Sequence, residues 1–186
     1  MKHQGPPLMV SSKGFYKWAW RIVEGCTNNC GYCYAEMESN DFTKLRFHED
    51  LINEPYKVDP SRIFVNYMGD IMLYDWKIVE QIIDVARDLP NHEFLFMTKL
   101  PQHYQCYEFP SNCILGVTIE SPEYWYRSDK MKYLQNRKMC SVEPILGDFT
   151  GYDFSQFEFV VVGCLMGSDD HSLYHTVKHN SIYYTR

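Results

Sequence analysis

Six short runs rich in apolar, β-branched and aromatic residues recur along the chain, and their length and spacing limit its fold more than any other feature. They are 18–23 (WAWRIV), 62–67 (RIFVNY), 93–98 (EFLFMT), 113–119 (CILGVTI), 138–142 (KMCSV) and 157–162 (FEFVVV). Each has the length and residue types of a buried strand. The VVV and FLFM stretches lack in/out alternation, which is the pattern of parallel strands covered on both faces. Helical segments are predicted between the runs. The clearest is 75–89, where Ile78, Ile82, Val85 and Leu89 share a face, Asp75 is placed to cap the start and Pro90 follows the end. A second starts at Ser121-Pro122-Glu123 and runs toward Asn136, and a third starts near Cys30 and runs through Tyr34, Ala35, Glu36 and Met37.

Strands alternating with helices make an α/β chain of parallel units, which right-handed crossovers curl into a barrel. A closed eight-fold barrel takes about 250 residues. Six units in 186 residues therefore predict an open, partial (βα)6 TIM-like barrel. On this reading 1–17 is an N-terminal extension, 18–167 the core and 168–186 a segment covering the rim. Each run ends on a polar residue or glycine: Gly25-Cys26, Gly69-Asp70, Thr98-Lys99, Glu120, Glu143 and Gly163. In barrels of this type chemistry is done at the C-terminal ends of the strands. Six strands delivering such residues to one rim point to an enzyme.

An aromatic share of 16% excludes a disordered chain. No apolar run reaches the 18 or so residues of a membrane span. The start, MKHQGPPLMV, lacks the layout of an export signal, so a cytoplasmic, reducing setting is expected. A net charge of −6 argues against coating extended nucleic acid, while leaving room for one nucleotide at a local basic patch.

Seven cysteines are present, and three crowd into Cys26-Thr-Asn-Asn-Cys30-Gly-Tyr-Cys33 directly after the first run. Three thiolates at C-x3-C-x2-C spacing can hold three corners of an iron–sulfur cube and leave its fourth iron open to a ligand. A structural zinc site closes with a fourth Cys or His at ordinary spacing, and the next His, His48, is fifteen residues on. Zinc or a redox thiol site is the alternative reading of the triad. The remaining cysteines, Cys106, Cys113, Cys140 and Cys164, form no loop motif and read as small buried apolar residues.

This loop resembles that of the radical S-adenosylmethionine (SAM) superfamily, Cys-x3-Cys-x-aromatic-Cys, with Tyr32 in the aromatic position. Within it the chain is similar to the phage-associated Gp37/Gp68 (DUF5131-like) group. The resemblance runs in order through Gly25-Cys26-Thr27, Cys33-Tyr34-Ala35-Glu36, Asn66-Tyr67-Met68-Gly69-Asp70, Met97-Thr98-Lys99, Gly116-Val117-Thr118-Ile119-Glu120 and Glu143-Pro144-Ile145-Leu146-Gly147. It departs at Val162-Gly163-Cys164-Leu165-Met166-Gly167, where the group carries an acidic residue. The resemblance implies a [4Fe–4S] cluster on Cys26, Cys30 and Cys33. It also implies SAM on the open iron, and a 5′-deoxyadenosyl radical that abstracts hydrogen from a substrate. An electron donor of flavodoxin or ferredoxin type is implied as partner. The phage association makes a nucleoside or nucleic-acid base the first choice of substrate, among small molecules generally. A non-catalytic iron–sulfur or zinc module working through a partner protein is the rival.

By the same resemblance Met68, Gly69 and Asp70 stand where the superfamily touches the SAM methionine amine, Asp70 otherwise being a helix cap. Lys99 is assigned to the SAM carboxylate and Glu120 to ribose, or the two form a buried pair at the mouth. Glu143 is a rim carboxylate for SAM or substrate, and Gly163 offers backbone to adenine. His171, His175 and His179 would share one face if helical, and Tyr124, Trp125, Tyr126 and Arg127 either stack on a base or pack.

Overall fold

In the computed structural model the chain is described over residues 8–10, 14–33, 35–36, 41–165, 168 and 170–185. Ten strands are found there: β1 (Leu8–Val10), β2 (Trp18–Trp20), β3 (Val23–Glu24), β4 (Arg46–Phe47), β5 (Arg62–Val65), β6 (Glu93–Thr98), β7 (Cys113–Thr118), β8 (Arg137–Val142), β9 (Phe159–Gly163) and β10 (Ile182–Thr185). Eight of them form one sheet in the order β1-β2-β5-β6-β7-β8-β9-β10. Neighbours from β2 through β10 run parallel, and β1 is antiparallel to β2. The six predicted runs are the six central neighbours, in chain order. The sheet curls into an open half-barrel, as predicted.

Two further strands come from outside 18–167. β1 lies on one edge, and β10 pairs with β9 on the other, Ile182 opposite Val160 and Thr185 opposite Gly163. The first run is shorter than expected as a single strand. After Trp20 the chain leaves the large sheet, and Val23 and Glu24 pair instead with Phe47 and Arg46. This side step starts the cysteine loop away from the sheet plane.

The apolar residues divide by strand parity. Phe94, Phe96, Leu115, Val117, Cys140, Val142, Val160 and Val162 face the convex side and merge with the helices in one buried cluster. Leu95, Ile114, Met139, Phe159 and Val161 face the concave side, where Phe15 covers them and Tyr16, Phe64 and Tyr183 pack alongside. Because both faces are covered, the strands read as nearly continuous apolar runs. The strands begin at a charge ladder: Arg62 pairs with Glu93, Glu93 with Arg137, and Arg137 with Glu158. Phe15, whose carbonyl accepts from Arg62 at 3.0 Å, packs on the concave apolar residues at that end.

Helix α1 (Trp76–Asp88) is capped by Asp75, whose side chain accepts from Lys77 N. Its buried stripe is Val79, Ile82, Ile83, Val85 and Ala86, with Ile78 and Leu89 partly buried beside it. The predicted helix 121–136 is instead a 3-10 turn at Pro122–Tyr124 followed by the short α2 (Tyr126–Met131). After the helix ends, Asn136 donates to the Pro110 carbonyl at 2.9 Å just before β8 begins. Of the helix expected after Cys30, Ala35 and Glu36 are helical, while Tyr34 and Met37 lie outside the described residues. No helix among the described residues is long and apolar enough to cross a membrane.

Candidate active site

The cysteine loop is anchored first by backbone. Gly25 pairs as an isolated parallel bridge with Gly69, and its N–H donates to the Met68 carbonyl at 3.2 Å. Gly25 has φ +103°, and a Cβ there would run into the Lys44 carbonyl. A Cβ on Gly69 would run into the Gly25 carbonyl. Glycine at 69 is what lets the two loops touch, and glycine at 25 is what lets the chain pass the 42–44 backbone. Tyr74 Oη donates to the Glu24 and Gly25 carbonyls at 2.6 and 3.0 Å, and Cys26 N donates to Phe42 O at 2.9 Å.

Cys26, Cys30 and Cys33 then line one cleft of about 160 Å³, together with Met68, Gly69 and Asp70. Tyr32, Met97, Thr98, Lys99 and Thr118 complete its strand-end wall. Burial raises the Cys26 and Cys30 thiols above their ordinary pKa, so both are protonated at neutral pH. Among the described residues no three His, Cys, Asp or Glu side chains already converge on one point. Three soft sulfur donors on one cleft nevertheless suit an iron–sulfur cluster, and loading it must expel the thiol protons.

Asp70 is 4% exposed and fully engaged. Its Oδ1 accepts from Thr98 Oγ1 at 2.6 Å and Met72 N at 3.1 Å. Its Oδ2 accepts from Lys99 N at 2.8 Å and Asn28 Nδ2 at 2.9 Å. Next to it lies a second network. Tyr32 Oη accepts from Lys99 Nζ at 2.5 Å and donates to Glu120 Oε1 at 2.9 Å, and Lys99 Nζ reaches Glu120 Oε1 at 3.0 Å. Arg127 Nη1 donates to Glu120 Oε2 at 2.8 Å and to the Thr118 carbonyl at 2.9 Å. Burial acts to raise the Glu120 pKa, and Lys99 and Arg127 outweigh it, so the carboxyl is held below its ordinary range. Burial together with Glu120 and Cys30 pushes the Tyr32 phenol up, keeping it protonated. Lys99 and Glu120 thus form the buried pair that was one of their two expected readings.

Tyr32, Lys99, Asn28 and Cys30 also border a second, larger cleft of about 410 Å³, continued by Glu120, Tyr124, Tyr126, Arg127 and Leu146. Arg127 lies 4.3 Å from the Tyr124 ring, and Tyr126 is 54% exposed. Trp125 turns the other way and packs on Tyr152 and Phe154. Glu143 and Gly163 stand farther along the rim. Thr185 Oγ1 donates to Glu143 Oε1 at 2.6 Å, and a Cβ on Gly163 would collide with Thr185 Oγ1 and Glu143. The Gly163 carbonyl is taken by Ile145 N at 2.7 Å.

The histidine series is corrected. His171, His175 and His179 do not share a helix; only a 3-10 turn, Tyr174–Thr176, forms there. His179 Nδ1 instead accepts from Ser181 N at 2.9 Å, and its Nε2 lies 2.8 Å from the Phe157 carbonyl. Cys113 and Cys140 are buried as expected, whereas Cys106 is exposed and Cys164 half-buried. Met166 and Gly167 lie outside the described residues. Residues passed over as site candidates include Asn28 and Asn66. Asn66 is 2% exposed with φ +60°, and neither side-chain polar atom has a partner among the described residues. Its signals were an Asn near the end of the run 62–67, since Asn tolerates the left-handed region, and its place at the start of the stretch 66–70.

A family model described as "Protein of unknown function (DUF5131)" matches residues 12–178. This chain belongs to the DUF5131 family. No curated protein matches it. Among solved structures it is similar to spore photoproduct lyase. One variant with dinucleoside spore photoproduct aligns at 14% identity and TM-score 0.63, over 83% of this chain and 58% of that one. Another, with bound AdoMet and dinucleoside spore photoproduct, aligns at 14% identity and TM-score 0.63, over 88% and 60%. A third reaches TM-score 0.64 at 15% identity over 83% and 58%. At these identities the likeness establishes a shared fold. This DUF5131 chain spans less than two thirds of those neighbours' length.

Proposed function

We propose that this chain is a radical SAM enzyme whose substrate is a nucleoside or nucleic-acid base. One observation carries the reading: Cys26, Cys30 and Cys33 line a single cleft at the C-terminal ends of a parallel half-barrel. The bound AdoMet in a structure of the same fold supports the choice of cofactor, and the dinucleoside beside it supports the class of substrate. Cys26, Cys30 and Cys33 are the residues that would hold a [4Fe–4S] cluster. When bound, cluster and SAM supply one-electron cleavage of a sulfonium bond and, through it, hydrogen abstraction. The chain's own residues do the positioning. The Gly25–Gly69 contact sets the base of the cysteine loop, and Tyr32 and Lys99, which line both clefts, stand between them, with Glu120 behind them on the larger one. The larger cleft, within the 300–1,000 Å³ typical of small-molecule sites, offers tyrosine faces on which a flat ring can stack. An electron donor of flavodoxin or ferredoxin type and a cytoplasmic setting belong to the same proposal.

The test is anaerobic reconstitution with iron and sulfide, followed by metal analysis and incubation with SAM and a strong reductant. The expected result is about four irons per chain, absorption near 400 nm (an order-of-magnitude position for thiolate–iron charge transfer) and release of methionine and 5′-deoxyadenosine. Cys26→Ala, Cys30→Ala and Cys33→Ala should each abolish the absorption, and Cys106→Ala should not. One zinc per chain with no SAM cleavage would support the metal-module rival and overturn the enzyme reading.

A further inference from the structure

Asp70 lies in the part of the chain where the resemblance places a carboxylate for the ligand's amine, yet its geometry gives it a different task. An ionised carboxylate offers about four lone-pair positions. All four are filled, by Thr98 Oγ1, Met72 N, Lys99 N and Asn28 Nδ2. The donors come from three separate segments: the cysteine loop, the turn after β5 and the end of β6. Asp70 borders the cysteine cleft but is itself only 4% exposed, so an ammonium group could bind its carboxylate only by displacing one of these donors.

We propose that Asp70 is a positioning residue which, through Asn28, fixes the cysteine loop against the end of β6 and makes no contact with a bound ligand. Asn28 sits midway between Cys26 and Cys30, and its own N–H points at Cys26 Sγ at 3.5 Å. A tether on Asn28 therefore acts where the spacing of the first two thiols is set. The second tether, Tyr32 on Lys99, lies on the other side of Cys30. Both end on the consecutive residues Thr98 and Lys99. The end of β6 is thus the fixed mark against which the cysteines are placed, before any metal arrives.

The consequence for the metal rests on the proposed function, but the first measurement does not. Hydrogen exchange is followed by mass spectrometry in the full-length, metal-free protein for the peptide spanning 26–33. Peptides from α1 and β7 serve as controls for global opening. Asp70→Asn keeps the shape of Asp70 and loses two acceptor positions, and Asn28→Ala leaves the carboxylate untouched. Both should speed exchange of the 26–33 peptide by about tenfold at unchanged control exchange, and the double variant should go no further than either single one. In reconstituted protein both should also lose iron to a chelator several-fold faster than wild type. The proposal is overturned if Asn28→Ala leaves loop exchange and iron retention at wild-type values. It is equally overturned if Asp70→Asn keeps a wild-type loop and iron but binds SAM tenfold more weakly, which is the signature of direct contact. Should Asp70→Asn not fold, Asn28→Ala decides alone. A wild-type protein that holds no iron would refute the proposed function and leave the exchange comparison intact.

Discussion

Replacing Glu120 by Gln removes the one anion shared by Lys99 and Arg127, and the structure sets the size of the effect. Glu120 is 4% exposed and accepts three hydrogen bonds, from Tyr32 at 2.9 Å, Lys99 at 3.0 Å and Arg127 at 2.8 Å. Breaking a buried ion pair by removing one partner costs about 3–5 kcal/mol, because the remaining charge is stranded. Lys99, with its side chain 17% exposed and bordering the large cleft, can regain water. Arg127, at 9%, borders the same cleft but regains less, and its Nε already has no partner among the described residues. Gln retains one acceptor oxygen, so the lower end applies, about 3 kcal/mol. Urea unfolding at pH 7 should show this as a lower midpoint at unchanged slope. The pH dependence supplies a second check. The folded-state pKa of Glu120 is depressed, so its stabilisation is present above the unfolded value near 4.3 and fades as pH falls through the folded value. The gap between wild type and Glu120→Gln should therefore narrow in acid. A cost under about 1 kcal/mol at pH 7, or a gap that widens in acid, would refute the reasoning. Lys99→Met, which leaves Glu120 and Arg127 paired, should cost less than Glu120→Gln and gives the comparison if Glu120→Gln does not fold.

Gly116→Ala should destabilise by about 1–3 kcal/mol in the same assay, because a Cβ would press on the Phe96 carbonyl and the Met97 and Met139 sulfurs, with no room on the concave face. Only the methionines can yield, so Gly116→Ala in a Met139→Ala background should lose less than the sum of the two. In alkali, burial pushes Cys113 up to about 12, against an unfolded thiol near 8.5. The folded state therefore holds its proton more tightly, and stability is lost as pH rises above the unfolded value. Between pH 7 and pH 10 this thiol should contribute a loss of about 2 kcal/mol, absent in Cys113→Ala; equal alkaline slopes for the two proteins would refute it.

Much of the fold could be read from residue order alone. A strand covered on both faces needs an apolar side chain at nearly every position, so FLFM, CILGV and VVV announce themselves without knowledge of their neighbours. The helix at 75–89 did the same, because Asp75, the apolar stripe and Pro90 are local signals. The cysteine triad was legible for a related reason: three cysteines within eight residues need only a tight loop to face one cleft. The edge strands β1 and β10 were not legible. A three- or four-residue strand is held by its partner's backbone, and nothing in LMV or IYYT names that partner.

Side-chain roles at the rim were decided by tertiary contacts in the same way. From the sequence, Asp70, Lys99 and Glu120 are three polar residues at three strand ends, equally able to meet a ligand or one another. Their separations of 28 residues between Thr98 and Asp70, 67 between Lys99 and Tyr32, and 42 between Asn28 and Asp70 leave no local trace. Only the curl of the sheet, which brings the ends of β5, β6 and β7 beside the cysteine loop, satisfies those groups on each other. Hydrogen bonding and charge pairing act over about 3 Å in space whatever the distance along the chain. So the cysteine loop and the layers of the barrel were determined by sequence. The partners of each buried charge were determined by the closing of the fold.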